Sequence, residues 1–339
     1  MAGAERNGGL GPPWDAVDSM LASASLRGIL AHKLGPLAAN RLRRAGEPVP
    51  APLALEERAA TFAMLTAIPL IEKIRANCDG PLVLIKGPEV ARLYPGSARR
   101  FGDVDLLVED PGFLQRSLVA HGFVESYDPD ADAPPDHHHM PPLQWPTAGL
   151  KVEIHGSPNW PRRVRRPPLA EILEASVPST LGIAEVTAPA PLHHTLILVC
   201  HAWSHEPLWT LRDLVDIAAV SAHVDDRELE RLAKTWGISR IWRTTRRTID
   251  ALFVDGKETV PLRVWARHLE AVRDRTGFEK HVARLLQGYW AHPPHTATML
   301  SMRALDDMFS PAAGESWGHK VRRVPQALRN LRAPVQRDG

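Results

Sequence analysis

Apolar and polar positions divide the chain into a helical beginning, a mixed middle and a helical end. Residues 14–45 and 55–77 carry apolar side chains at helical spacing, among them Leu55, Ala59, Phe62, Met64, Leu65 and Ile71. Pro69, inside the second segment, predicts a kink or a split there. The run Glu47-Pro48-Val49-Pro50-Ala51-Pro52 marks a break between the two. The period then changes, predicting a strand over 82–86, a helix over 87–94, a turn at Pro95-Gly96-Ser97 and a strand over 103–108. A helix over 111–121 ends at Gly122, a strand follows over 122–127, and the Pro- and Asp-rich residues 128–142 read as a loop. Strands over 143–147 and 149–155 come next, the second alternating Val152 and Ile154 against Glu153 and His155. Beyond residue 190 the pattern predicts helices over 190–204, 208–221, 227–236, 239–253, 261–275 and 278–289. The fold class is α+β: a small mixed β-sheet with N-terminal helices, followed by a C-terminal helical bundle.

The candidate chemistry begins where the strand over 103–108 begins. Successive strand side chains point to opposite faces, so Asp103 and Asp105 share a face while Val104 and Leu106 point to a core. Two carboxylates held side by side repel, and a fold keeps such a pair mainly where a cation neutralises it. Hard divalent ions, which also bind phosphate oxygens, suit that role. A solvated strand end is the plainer reading, and the apolar Leu106-Leu107-Val108 directly after the pair weighs against it. Glu153, opposite in phase to Val152 and Ile154, is a third carboxylate able to join the same face.

Three motifs occur in order: Ile85-Lys86-Gly87, then Arg100-Phe101-Gly102-Asp103-Val104-Asp105, then Val152-Glu153-Ile154-His155. This ordered set resembles the DNA polymerase β-type nucleotidyltransferase superfamily, and within it an uncharacterised bacterial branch with the same pattern. The similarity continues through Leu208-Trp209-Thr210-Leu211-Arg212-Asp213-Leu214-Val215-Asp216 and covers roughly residues 55–255. The resemblance implies an enzyme that moves a nucleoside monophosphate, most simply AMP from ATP, to a hydroxyl or phosphate of an acceptor, releasing pyrophosphate. It implies that Asp103 and Asp105 hold one or two Mg²⁺ ions, with Glu153 as a further metal ligand or as the base. Lys86 and Arg100 would meet the β- and γ-phosphates, with Arg99 in reserve, and Gly87 would let the backbone approach them. His139, before Met140-Pro141-Pro142-Leu143, matches the family's His-Pro segment and would touch nucleotide or acceptor. Three departures stand out. Glu153 replaces the usual Asp, Pro88 replaces a frequent Ser, and the gap from Gly87 to Asp103 is longer than in minimal members. The expected division is an N-terminal helical segment over 1–78, a catalytic domain over 79–189, a helical domain over 190–295 and a basic, partly disordered tail over 296–339.

Bulk properties narrow the partners. The chain has 339 residues, enough for two domains, and a formal net charge of +2, so charge alone makes no case for nucleic acid. An RNA acceptor, as in tRNA-directed or toxin-like members, stays open through the basic tail from His319 to Asp338; a small molecule, peptide or protein is favoured. Pro88 and Glu153 also leave open a nucleotide-binding module without catalysis. Cys78 and Cys200 are too few for a disulfide framework, and the N-terminus lacks the order of a signal peptide. No apolar run reaches the ~18 residues that span a bilayer. These features together predict a cytoplasmic protein. Zinc is a distant alternative from His137, His138, His139, His155, His201 and His205, but the helix bearing His201 and His205 lacks the glutamate of a metalloprotease helix. Contacts between helices explain that pair more simply. Trp209 and Leu211 are expected in the core, and Arg212 with Asp216 as an i,i+4 ion pair.

Overall fold

The computed structural model describes residues 12–126, 140–254, 256–311, 316–331 and 333–335. The chain opens with helices α1 (Trp14–Ser23), α2 (Leu26–Ala31), α3 (Gly35–Arg44) and α4 (Ala51–Arg75). The first three divide the segment 14–45, whose apolar positions carry helical spacing. Ser25 caps α2 by accepting from the Gly28 N–H, and Lys33, at φ 57°, turns the chain before α3. In α4, Pro69 neither splits nor ends the helix. Pro69 is exposed, so the carbonyl it deprives of a partner lies on the wet side, where water satisfies it.

Then follow β1 (Leu82–Leu84), α5 (Pro88–Ala91), β2 (Asp103–Leu107), α6 (Pro111–Ala120), β3 (Val124–Glu125), β4 (Leu143–Gln144), β5 (Lys151–His155), α7 (Leu169–Glu174), β6 (Val177–Pro178) and β7 (Val186–Ala188). The strands form a seven-stranded mixed sheet in the order β3-β4-β5-β2-β1-β7-β6, with β1/β7 and β2/β5 parallel and the other pairs antiparallel. β3 and β4 are shorter than predicted. α7, β6 and β7 fall where no element was expected.

Strand alternation gives the sheet two buried faces. Leu82, Leu84, Val104, Leu106, Val152 and Ile154 pack with Ile71 and Ile74 of α4 and Leu114 and Leu118 of α6. Val83, Ile85 and Leu107 point the other way, into a cluster shared with the helical half of the chain. That half comprises α8 (Pro191–His205), α9 (Leu211–Ser221), α10 (Asp226–Thr235), α11 (Ser239–Phe253), α12 (Val260–Val264), α13 (Arg267–Glu270), β8 (Arg275–Thr276), α14 (Gly277–Leu286), α15 (Gly288–Ala291), α16 (Pro294–Phe309), α17 (Trp317–Asn330) and β9 (Pro334–Val335). Val17, Leu21, Ile29 and Leu37 of the first three helices belong to the same cluster. The helix predicted over 261–275 is two short helices and a strand: Trp265 and Ala266, at φ −141° and −123°, leave the helical path between α12 and α13, and Val272, at φ 41°, turns the chain after α13. Trp209 and Leu211 are core residues, and both cysteines are buried free thiols. Among the described residues no helix is long and apolar enough to cross a membrane.

Candidate active site

Asp103 opens β2, and the parallel register of β2 with β5 sets Asp105 directly beside Glu153. These carboxylates share their face with Leu107, which packs on the helical half. They therefore look into the space between sheet and helices. That space is a cavity of about 950 Å³. Its walls include Lys86 and Gly87 after β1, Arg99 and Arg100 before β2, His201 and His205 of α8, and Arg212 and Asp213 of α9.

Gly87 fixes the approach of β1 to β2. It sits at φ 60°, ψ −118°, and a Cβ there would lie 2.7 Å from the Asp103 carbonyl oxygen. The turn brings Lys86 into contact with His201. Beneath it, His194 of α8 donates from Nε2 to the Ile85 carbonyl at 2.8 Å, pinning the end of β1. Burial holds the His194 pKa down, to about 4, so the ring stays neutral there.

Asp105, Glu153 and His155 can each present a ligand atom within 4.8 Å of the others. His155 Nε2 donates to Asp105 Oδ1 at 3.1 Å and lies 3.7 Å from Glu153 Oε2. Asp103 shares the face but stands two residues earlier, at the start of β2, outside that group. The electrostatics are those of crowded carboxylates. Burial, followed by the charges of Asp105 and Asp103, raises the Glu153 pKa to about 7. Burial and the Asp105 charge also raise Asp103. For Asp105 burial pushes upward too, but the His155 hydrogen bond and the Lys86, His155 and Arg99 charges outweigh it and hold the carboxyl low. Burial depresses Lys86, opposed by Asp105 and Asp103. A buried set of carboxylate oxygens, one whose ionisation is opposed by burial and by its neighbours' charges, fits a hard divalent cation.

The arginines divide differently from the sequence expectation. Arg99 is buried and donates from Nε and Nη2 to Asp216 Oδ1 and Oδ2, at 2.7 Å each, and the Tyr94 hydroxyl adds a third bond to Asp216 at 2.7 Å. The predicted Arg212–Asp216 pair does not form; Arg212 instead lies 3.7 Å from Asp213. Arg100 pairs with Glu56 at the exposed rim. Its guanidinium lines the cavity and is held less firmly than that of Arg99.

The histidines are dispersed. His139 and its two histidine neighbours lie outside the described residues. His205 lies 3.1 Å from Asn159 Nδ2, so the α8 pair contacts the sheet side through Lys86 and Asn159. Among the described residues the metal-binding geometry belongs to Asp105, Glu153 and His155. The sequence offered His155 only as a motif residue and a distant zinc ligand, not as a partner of the carboxylates. Its alternation with Ile154 was the available signal. His201 and the Arg99–Asp216 link had no local signal, since their partners lie more than a hundred residues away.

A family described as an uncharacterised nucleotidyltransferase matches residues 20–254. No curated protein and no solved structure matches the chain. The match covers well over half of the sequence, and the chain belongs to that family.

Proposed function

We propose that this member of the uncharacterised nucleotidyltransferase family transfers a nucleoside monophosphate, most simply AMP from ATP, to a hydroxyl or phosphate of an acceptor, in a Mg²⁺-dependent site of the polymerase β type. The observation that carries the reading is the placement of Asp103, Asp105 and Glu153 on one face of adjacent strands, with His155 beside them. Asp103, Asp105 and Glu153 form one wall of a cavity that Lys86, Arg99, Arg100 and Arg212 also line.

Asp105, Glu153 and His155 would hold the metal, with Asp103 available to a second ion or to the same ion through a shift of its side chain. Bound there, divalent metal neutralises phosphate charge and lowers the pKa of the attacking hydroxyl. Lys86, close to the carboxylates, and Arg100, at the rim, supply positive charge for the β- and γ-phosphates. Arg99 is committed to Asp216 and acts by fixing the loop that leads into β2. Glu153 would serve either as that metal ligand or, left outside the metal's ligand set, as the base that takes the acceptor proton, a role its raised pKa suits. The helical half walls the cavity opposite the sheet through His201, His205, Arg212 and Asp213, and substrate that displaces water from it would strengthen each of these interactions. The acceptor hydroxyl loses its proton as its oxygen bonds to the α-phosphorus, and the bond to pyrophosphate breaks.

The test is release of pyrophosphate, followed with labelled ATP and Mg²⁺ against a panel of phosphorylated and hydroxylated small molecules. Transfer that vanishes in Asp103→Ala/Asp105→Ala supports the reading. Full transfer in that variant would end it.

A further inference from the structure

A second cavity, of about 470 Å³, adjoins the candidate active site; Leu30 and Lys33 line both. It lies between α2 and the segment that leads through β8. Gly28 lets α2 seat there, since a Cβ at that position would stand 1.7 Å from the Val272 carbonyl oxygen. Val272, a β-branched residue at φ 41°, then turns the chain so that Arg275 enters the interior. Val335 of β9, paired with Arg275 across the β8–β9 ladder, closes the outer edge.

Arg275 is 3% exposed. Its guanidinium lies over the Trp209 ring, 4.9 Å from the centroid. Its Nε and Nη2 have no hydrogen-bond partner, and its nearest carboxylate contact is a long 3.4 Å from Nη1 to Glu206 Oε2. Neighbouring arginines are better matched: Arg27 pairs with Asp274, and Arg273 with Glu279. A buried guanidinium with unused donors is costly unless something occupies it. Burial pulls its pKa down to about 10, so it still carries its charge at neutral pH.

His268 stands in the same wall, 1% exposed. Its Nε2 donates to the Trp209 carbonyl at 3.0 Å, which leaves Nδ1 as an acceptor, and that atom too has no partner. Burial, then the Arg275 charge, lowers its pKa to about 3, so the ring stays neutral. His32, stacked on it with centroids 5.7 Å apart, has both nitrogens bonded and serves as support. The unused groups are thus two cationic donors and one neutral acceptor.

We propose that this cavity is the acceptor subsite and that it takes a phosphate monoester, whose P–O⁻ accepts from Arg275 and whose P–OH donates to His268 Nδ1. The inference rests on the nucleotidyltransferase reading for its meaning, but not for its test. With the phosphate at Arg275 and the organic body against Trp209, the rest of the acceptor extends past Lys33 towards Asp103 and Asp105.

Inorganic phosphate is the first probe, titrated against full-length protein while tryptophan fluorescence is followed. Saturable quenching is expected, at least tenfold weaker in Arg275→Met and also weakened in Lys33→Asn, which tolerates the positive φ. It should persist in Asp103→Ala/Asp105→Ala, and ATP binding should persist in Arg275→Met; the two sites are thereby read separately. Quenching by acetate equal to that by phosphate would overturn the choice of a phosphate monoester. Phosphate quenching that survives in Arg275→Met and Lys33→Asn but disappears in Lys86→Ala would assign the anion to the donor cleft and overturn the subsite. Should Arg275→Met fail to fold, Lys33→Asn and His268→Phe decide the matter by the same criterion.

Discussion

Asp105 and Glu153 are register partners across the parallel β2–β5 ladder, and His155 donates a hydrogen bond to the first while lying 3.7 Å from the second. Burial pushes both carboxyls upward, and this relationship separates them. His155 and the neighbouring cations favour the charged form of Asp105, and that charge in turn discourages ionisation of Glu153. Such a pair is poised to change on binding a cation, which removes the penalty on Glu153.

Glu153 therefore makes metal-free stability depend on pH. Its folded pKa of about 7 lies above the ordinary 4.5, so its contribution favours the folded state below pH 4.5 and is lost as pH rises through about 7. The loss is on the order of 3 kcal/mol at most. Glu153→Gln should remove this dependence, making the metal-free protein more stable than wild type at pH 8. Thermal melts from pH 5 to 8, with and without Mg²⁺, check it. Mg²⁺ should raise Tm strongly for wild type at pH 8 and weakly for the variant.

Gly87→Ala should cost roughly 1–3 kcal/mol, because the residue would need both a positive φ and room already occupied by the Asp103 carbonyl. Relief of the clash would separate Lys86 from β2, so nucleotide affinity should fall along with stability. Urea unfolding and nucleotide titration of the same preparation measure both effects.

How much of this was legible in the sequence follows from how local each signal is. The Lys86-Gly87 turn, the Asp103–Asp105 face and the phase of Glu153 each rest on period-two alternation within a few residues, and the α+β order rests on longer runs. β6 and β7, of two and three residues, are too short to show a period, and the pairing of β7 with β1 and of β6 with β7 comes from tertiary packing. Pro69 misled because its effect depends on which side of α4 faces water. The pairing of Asp216 with Arg99 rather than Arg212 was hidden because the helical rule considers only neighbours, whereas the buried bidentate partner comes from 117 residues away. The cavity around Arg275 was equally hidden, since it depends on a valine turning where a helix was expected.

The Arg99–Asp216 pair gives a third prediction. Removing one partner of a buried ion pair leaves the other charge unmatched, at about 3–5 kcal/mol. Asp216→Ala should lose that much by urea unfolding, and Arg99→Met a comparable amount. The double variant Arg99→Met/Asp216→Leu should recover part of the loss, since no isolated charge remains.

The central claim is that Asp103, Asp105 and Glu153 form a metal-dependent nucleotide site. Calorimetric titration of ATP with and without Mg²⁺, on wild type and Asp105→Ala, tests it most directly. The account predicts binding that needs Mg²⁺ and falls at least tenfold in the variant. Equal binding by both proteins, or binding indifferent to Mg²⁺, would contradict it.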